Sequence, residues 1–175
     1  MSNSASPAPS DGGDRLLRRL AGWLLVILLL GGLSLWVSRH MLSTATQAPG
    51  ATLPLLSGGQ AQLLWPAASE RTLVYFFAPW CQICRLSMPG LNLLDSDHGS
   101  LRIVAVALDY DSEQDVRAFV EDVGFHGEVL LGTEQTRQDW QITGYPAYYV
   151  IARNGQIQHK DMGISTPPGL WLRTR

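Results

Sequence analysis

The 175-residue chain holds two cysteines, spaced as Cys81-Gln82-Ile83-Cys84. They stand where an apolar run, Thr72-Leu73-Val74-Tyr75-Phe76-Phe77, gives way to helical spacing at Ile83, Leu86, Leu91 and Leu94. A cysteine at a helix start meets unpaired backbone N–H groups, whose partial positive charge favours thiolate over thiol. One turn on, a second cysteine can attack a mixed disulfide on the first, so the pair predicts a two-electron thiol–disulfide switch that runs in either direction.

Other uses of two thiols fit less well. A disulfide closing so short a loop constrains the unfolded chain little, which makes stabilisation alone a poor reason for it. Structural zinc needs four ligands, and no second Cys pair or Cys/His cluster accompanies this one. Cu(I) accepts two or three soft ligands, so a copper-binding role for Cys81, Cys84 and Met88 stays open, although Met88 also suits a core position. His40, His98, His126 and His159 are scattered singly among polar residues, as solvated histidines are.

The elements around the pair spell an α/β domain. Gly58-Gly59 between 55–57 and 60–64 predicts a hairpin, ended by Trp65-Pro66. The 72–77 run is too apolar for a wet face and predicts a central strand covered on both sides. A helix follows to about Leu94, kinked at Pro89. Leu101–Leu108 is a second buried strand, and Ser112 caps a helix that Gly124 stops after Val123. A short strand at 128–131, a helix at 134–141, a strand at 147–152 turned by Asn154-Gly155 into 156–160, and a last helix from Pro167 complete the order. Helices between early strands and a late hairpin predict a sheet of mixed direction. Trp65, Trp140 and Trp171 sit in apolar patterns and are expected in the core.

The N-terminus is of another kind. From Leu20 to Val37 there are 18 residues without a formal charge, about the length that ~27 Å of helix needs to cross a bilayer. A cleaved signal peptide has a shorter apolar core, ~7–15 residues, and an A-x-A-like end that Ser43–Ala48 lacks, so a retained anchor is expected. Arg15, Arg18 and Arg19 precede the run and Arg39 alone follows closely. That bias places residues 1–19 as a cytoplasmic tail and the rest across the membrane, which in a bacterium is the periplasm. Trp23 and Trp36 fall near the ends of the span, where indoles favour the interface. Residues 38–53, small and polar with Pro and Gly, read as a tether, and 54–175 as the folded domain. After residue 40 there are nine basic and thirteen acidic residues, a net charge of −4 that argues against a nucleic-acid partner.

Ala78-Pro79-Trp80-Cys81-Gln82-Ile83-Cys84, Pro89 five residues on, and Gly144-Tyr145-Pro146 before a hairpin together resemble the thioredoxin superfamily over roughly residues 50–175. Anchor, leading hairpin and compact domain resemble its TlpA/ResA/DsbE-like membrane-tethered branch, closest to the suppressor-of-copper-sensitivity D-like members. The resemblance implies a thioredoxin fold preceded by a hairpin and one transmembrane helix. It also implies a protein thiol-disulfide oxidoreductase with no cofactor and no metal, in which Cys81 and Cys84 are catalytic and disulfide-forming. Trp80, Tyr145 and Pro146 would contact substrate, with Pro146 cis and facing the cysteines. Partners implied are exported thiol or disulfide proteins and a DsbD-like membrane electron-transfer protein. Two positions depart from the pattern: thioredoxins carry a buried Asp where Tyr75 stands, and the cytochrome c-maturation branch a Glu where Ser87 stands. Gln82-Ile83 likewise differs from the dipeptides those relatives place between their cysteines.

Overall fold

The computed structural model describes residues 11–38, 40–94, 100–163 and 167–173, and the chain divides after Val37 into two units. The first holds α1, Asp11–Ser38, except for its last residue. Its side chains are described for 17–29, 31 and 32, and Leu20, Trp23, Leu24, Ile27 and Leu28 are exposed. Among the described residues no helix is long and apolar enough to cross a membrane. The expected span at 20–37 is thus helical in its backbone but not identified as a span, because much of its second half, Trp36 included, lies outside the described side chains.

The second unit is an α/β domain around a five-stranded sheet in the order β5-β4-β3-β6-β7. Its strands are β3 (Arg71–Phe77), β4 (Leu101–Ala107), β5 (Glu128–Leu131), β6 (Ala147–Ala152) and β7 (Ile157–Met162). β3, β4 and β5 run parallel, and β6 pairs antiparallel with both β3 and β7. A separate hairpin joins β1 (Ala51–Pro54) to β2 (Gln60–Leu63). It starts a few residues earlier than the glycine pair suggests, because Leu55 and Leu56 leave it to bridge and hydrogen-bond β5 at Leu130 and Val129.

β3 is the centre. Its residues 72–77 are all buried, Leu73, Tyr75 and Phe77 in one core cluster and Val74 and Phe76 in the other. A strand covered on both faces needs no polar alternation, which is why its sequence shows none. Helix α3, Glu113–Val123, forms as its local signals require. The Ser112 hydroxyl accepts from Asp115 N at 3.2 Å, Gly124 ends the helix at φ +63, and Val116, Phe119 and Val123 line one buried face. The helix after the cysteines breaks rather than kinks: α2 covers Gln82–Ser87, and Pro89 lies at the start of a 3-10 turn, Met88–Leu93. The remaining helices are α4, Glu134–Asp139, and α5, Pro167–Arg173. Trp140 is buried as expected, Trp65 is half-buried with its indole N–H unpaired among described atoms, and Trp171 lies outside the described side chains.

The expected tether is not loose. Ala45 N donates to Ile157 O and Ala48 N to Gly155 O, both at 2.8 Å, and Ile157 N returns a bond to Thr46 O at 3.0 Å. Lys160 Nζ reaches Met41 O at 3.1 Å, and Met41 is only 2% exposed. Residues 41–48 therefore dock on the β6–β7 hairpin, and 51–54 form β1. Backbone pairing, for which small polar side chains suffice, overrides the linker-like composition.

Candidate active site

Three chain crossings meet at one end of the sheet: the β3–α2 turn, the segment after β4, and the loop entering β6. Because β3 and β4 are parallel, both present their carboxyl ends here, where α/β sheets leave a crevice for ligands. Antiparallel pairing of Phe76 with Ala147 brings the start of β6 to the same end.

At the β3–α2 turn, Cys81 N donates to Ala78 O at 3.0 Å and Arg85 N to Cys81 O at 3.1 Å, which turns the strand into the helix. Cys81 is the N-cap of α2, and its sulfur accepts from Cys84 N at 3.1 Å. A backbone N–H aimed at this sulfur favours its anionic form when the pair is reduced. Cys81 and Cys84 are joined in a disulfide with Cα atoms 5.3 Å apart. The two differ in access: Cys81 is 5% exposed, while Cys84 is at 0% and packed in the core cluster with Tyr75, Met88 and Tyr148. An incoming sulfur can meet the first and not the second. Met88 is fully buried in that same cluster.

Trp80 is 62% exposed, and its indole N–H donates to the Asp109 carbonyl at 2.9 Å. The Asp109 carboxylate accepts from the Tyr145 hydroxyl, also at 2.9 Å. The Trp80 and Tyr145 rings meet edge to face with centroids 5.7 Å apart. Burial, and the bond to the Asp109 carboxylate, raise the Tyr145 pKa well above the ordinary phenol value, so it stays a donor. Asp109 makes both contacts from a left-handed backbone, φ +48. Sequence reasoning picked out Trp80 and Tyr145 but not Asp109, whose only signal is its place just past the end of β4. The peptide bond from Tyr145 to Pro146 is cis, and Pro146 is buried at the head of β6, where its carbonyl accepts from Gly163 N at 2.7 Å.

The two positions without carboxylates turn out to be bonded to each other. The Ser87 hydroxyl donates to Ile83 O at 2.9 Å and lies 2.7 Å from the Tyr75 hydroxyl, so Tyr75 is the donor of that pair. Burial pushes the Tyr75 pKa up to about 12, partly offset by the Ser87 bond. A neutral hydroxyl pair thus stands behind the cysteines. No group of three or more metal-ligating His, Cys, Asp or Glu side chains occurs among the described residues.

The chain is similar to known proteins in sequence and in fold. The AhpC/TSA family profile matches residues 44–160. Thioredoxin-like protein YneN of Bacillus subtilis is 27% identical over 161 residues, covering 86% of this chain and 94% of its own. Thiol:disulfide interchange protein CycY of Rhizobium leguminosarum is 33% identical over 119 residues, 66% of this chain and 59% of its own. A Chlorobium tepidum crystal structure designated a DsbE thiol:disulfide interchange protein superposes with TM-score 0.68 at 26% identity, covering 75% of this chain and 95% of that one.

Proposed function

This chain belongs to the AhpC/TSA family and is a thiol-disulfide oxidoreductase of thioredoxin-like fold, and from that premise we propose that it is membrane-anchored and exchanges disulfides with exported proteins through Cys81 and Cys84. In the reducing direction the Cys81 thiolate attacks a partner disulfide, forming a mixed disulfide and releasing one partner thiolate, which takes up a proton. Cys84 gives up its proton and attacks the Cys81 sulfur, the Cys81–Cys84 disulfide closes, and the second partner thiolate leaves. Two electrons and the single proton of Cys84 have passed to the partner, whose second thiolate takes its proton from solvent. The opposite direction retraces these steps with a dithiol partner. A DsbD-like membrane protein is the kind of partner that would restore the pair to its working state.

The observation that carries this reading is the asymmetry of the pair: the sulfur on the helix cap belongs to a residue that keeps 5% exposure, and the other is fully sealed. Support for the anchor is the uncharged run 20–37 within α1 and the three arginines ahead of it. That same bias supports a location in the bacterial inner membrane with a periplasmic domain. The test is a trapping experiment with the full chain in cells. Cys84→Ser leaves Cys81 able to attack but not to be released, so it accumulates mixed disulfides with exported proteins. Adding Cys81→Ser abolishes them, lowering capture by at least about a thousandfold, as loss of a nucleophile does. Equal capture without Cys81 would sink the mechanism, and capture of cytoplasmic proteins alone would sink the proposed location.

A further inference from the structure

Beside the disulfide runs a groove of about 500 Å³ between the β3–α2 turn, the segment after β4 and α3. Its walls are of two kinds: Trp80, Tyr110 and Phe119 are aromatic, and Asp109, Asp111 and Asp115 are acidic. We infer that this groove seats a basic, arginine-bearing segment of the partner protein next to that partner's reactive cysteine. The inference rests on the thiol-exchange reading and deepens it by naming what the partner must carry.

Acidic residues alone would be an ordinary solvated face. What makes this groove a dock is its place next to the reacting pair, with Trp80 and Arg85, the chain neighbours of Cys81 and Cys84, in its wall. It begins at Trp80, the residue before Cys81, and a protein whose sulfur reaches a 5% exposed cysteine must lay its neighbouring chain over the surface around it. The charge there is only partly compensated: from outside the lining, Arg137 acts on Asp109 while paired with Glu134. The lining holds four carboxylates, those of Asp109, Asp111, Asp115 and Asp122, against one guanidinium, that of Arg85. Arg85 is spent on Asp122. Asp109 and Asp115 accept from neutral hydroxyls, those of Tyr145 and Ser112. The next cation along α3, Arg117, is engaged by Glu113 and by Leu56 O. Negative charge in a concave, partly apolar wall focuses its field outward and attracts cations.

The aromatic wall selects among cations. Arg85 already holds its guanidinium 5.0 Å from the centre of the Phe119 ring while paired with Asp122. Stacking on an aromatic face beside a carboxylate is a guanidinium arrangement that an ammonium reproduces poorly. Trp80, exposed at the mouth, and Asp111, exposed beside it, offer an incoming arginine the same combination.

The test uses the reduced full chain in detergent and three peptides of equal length. Each peptide carries one cysteine as a mixed disulfide with thionitrobenzoate, flanked by Arg, Ser or Glu. Each turnover converts the protein dithiol to its disulfide and releases the peptide thiol and thionitrobenzoate, which is followed by absorbance. The Arg peptide is expected to react about tenfold faster than the Glu peptide at low ionic strength, with the ratio shrinking toward unity in ~0.5–1 M salt. Asp111→Lys should collapse that ratio. Glu70→Lys makes the same change in net charge just before β3, at the far end of the strand from Cys81, and should leave the ratio as it is. Equal rates for Arg and Glu peptides, or equal effects of the two lysine substitutions, overturn the dock. Uncharged hydroxyethyl disulfide keeps the two readings apart: normal reaction with it beside equal peptide rates leaves thiol exchange standing, while no reaction with any disulfide removes exchange itself.

Discussion

Two tryptophan–tyrosine pairs in this domain have nearly the same ring separation and opposite fates. Trp140 and Tyr149 meet with centroids 5.5 Å apart, both fully buried, with Phe76 against each. Trp80 and Tyr145 meet at 5.7 Å at the surface beside the disulfide. In the buried pair the tyrosine hydroxyl donates to Trp140 O at 2.8 Å and accepts from Leu42 N at 3.1 Å, so the polar tip is satisfied within the fold. In the surface pair the hydroxyl is tied to Asp109, and most of the indole faces solvent. Leaving a large aromatic uncovered forgoes about 2 kcal/mol of burial. The domain makes that concession beside the cysteines and not around Trp140.

The comparison can be broken or sharpened by substitution. Trp140→Ala should give the largest loss of stability, about 3–5 kcal/mol by chemical denaturation, because it empties the centre of a packed cluster; a loss under 1 kcal/mol would mean the buried pair is not the structural one. Trp80→Ala should shift stability by no more than about 0.5 kcal/mol and slow exchange with protein disulfides about tenfold. Its rate with a small uncharged disulfide should change much less, and an equal slowing of both would assign Trp80 to the chemistry rather than to docking. Tyr149→Phe should cost about 1 kcal/mol at neutral pH.

The same tyrosine carries a pH signature. Burial, against a partly offsetting bond from Leu42 N, raises the Tyr149 pKa to about 12. The folded chain then holds a proton that the unfolded chain releases above about pH 10. The resulting stability is complete below pH 10 and is lost as pH rises toward 12. Tyr149→Phe should make that alkaline decline shallower, by the slope of one proton, in unfolding curves between pH 9 and 12. An unchanged slope would show that the hydroxyl ionises as freely in the folded protein as in water.

Sequence reasoning succeeded where the signal is local. Ser112 and Gly124 delimit α3 because cap and stop are properties of single residues and their own turns. The 72–77 run marks a doubly covered strand by composition alone, and the cysteine pair at its end was legible because strand, turn and helix are contiguous. What was not legible depends on distant partners. Residues 41–48 look like a linker until Gly155 and Ile157, more than a hundred positions later, supply their hydrogen bonds. The first hairpin strand lies earlier than the turn suggests because β5 claims Leu55 and Leu56. Asp109 could not be singled out as the partner of both Trp80 and Tyr145, since those residues come from other loops. Tyr75 and Ser87 were each noticed for the acid they lack, but no spacing rule joins a strand residue to a helix residue twelve positions on.

Asp109 has a consequence for how this protein can change over evolutionary time or in the laboratory. One residue fastens the Trp80 indole through its backbone carbonyl and the Tyr145 phenol through its carboxylate. A substitution at 80, 109 or 145 therefore disturbs all three positions. A change at either aromatic tugs on its opposite number, so a new partner repertoire is more easily reached along the independent outer rim at Asp111 than by retuning the two aromatics one at a time.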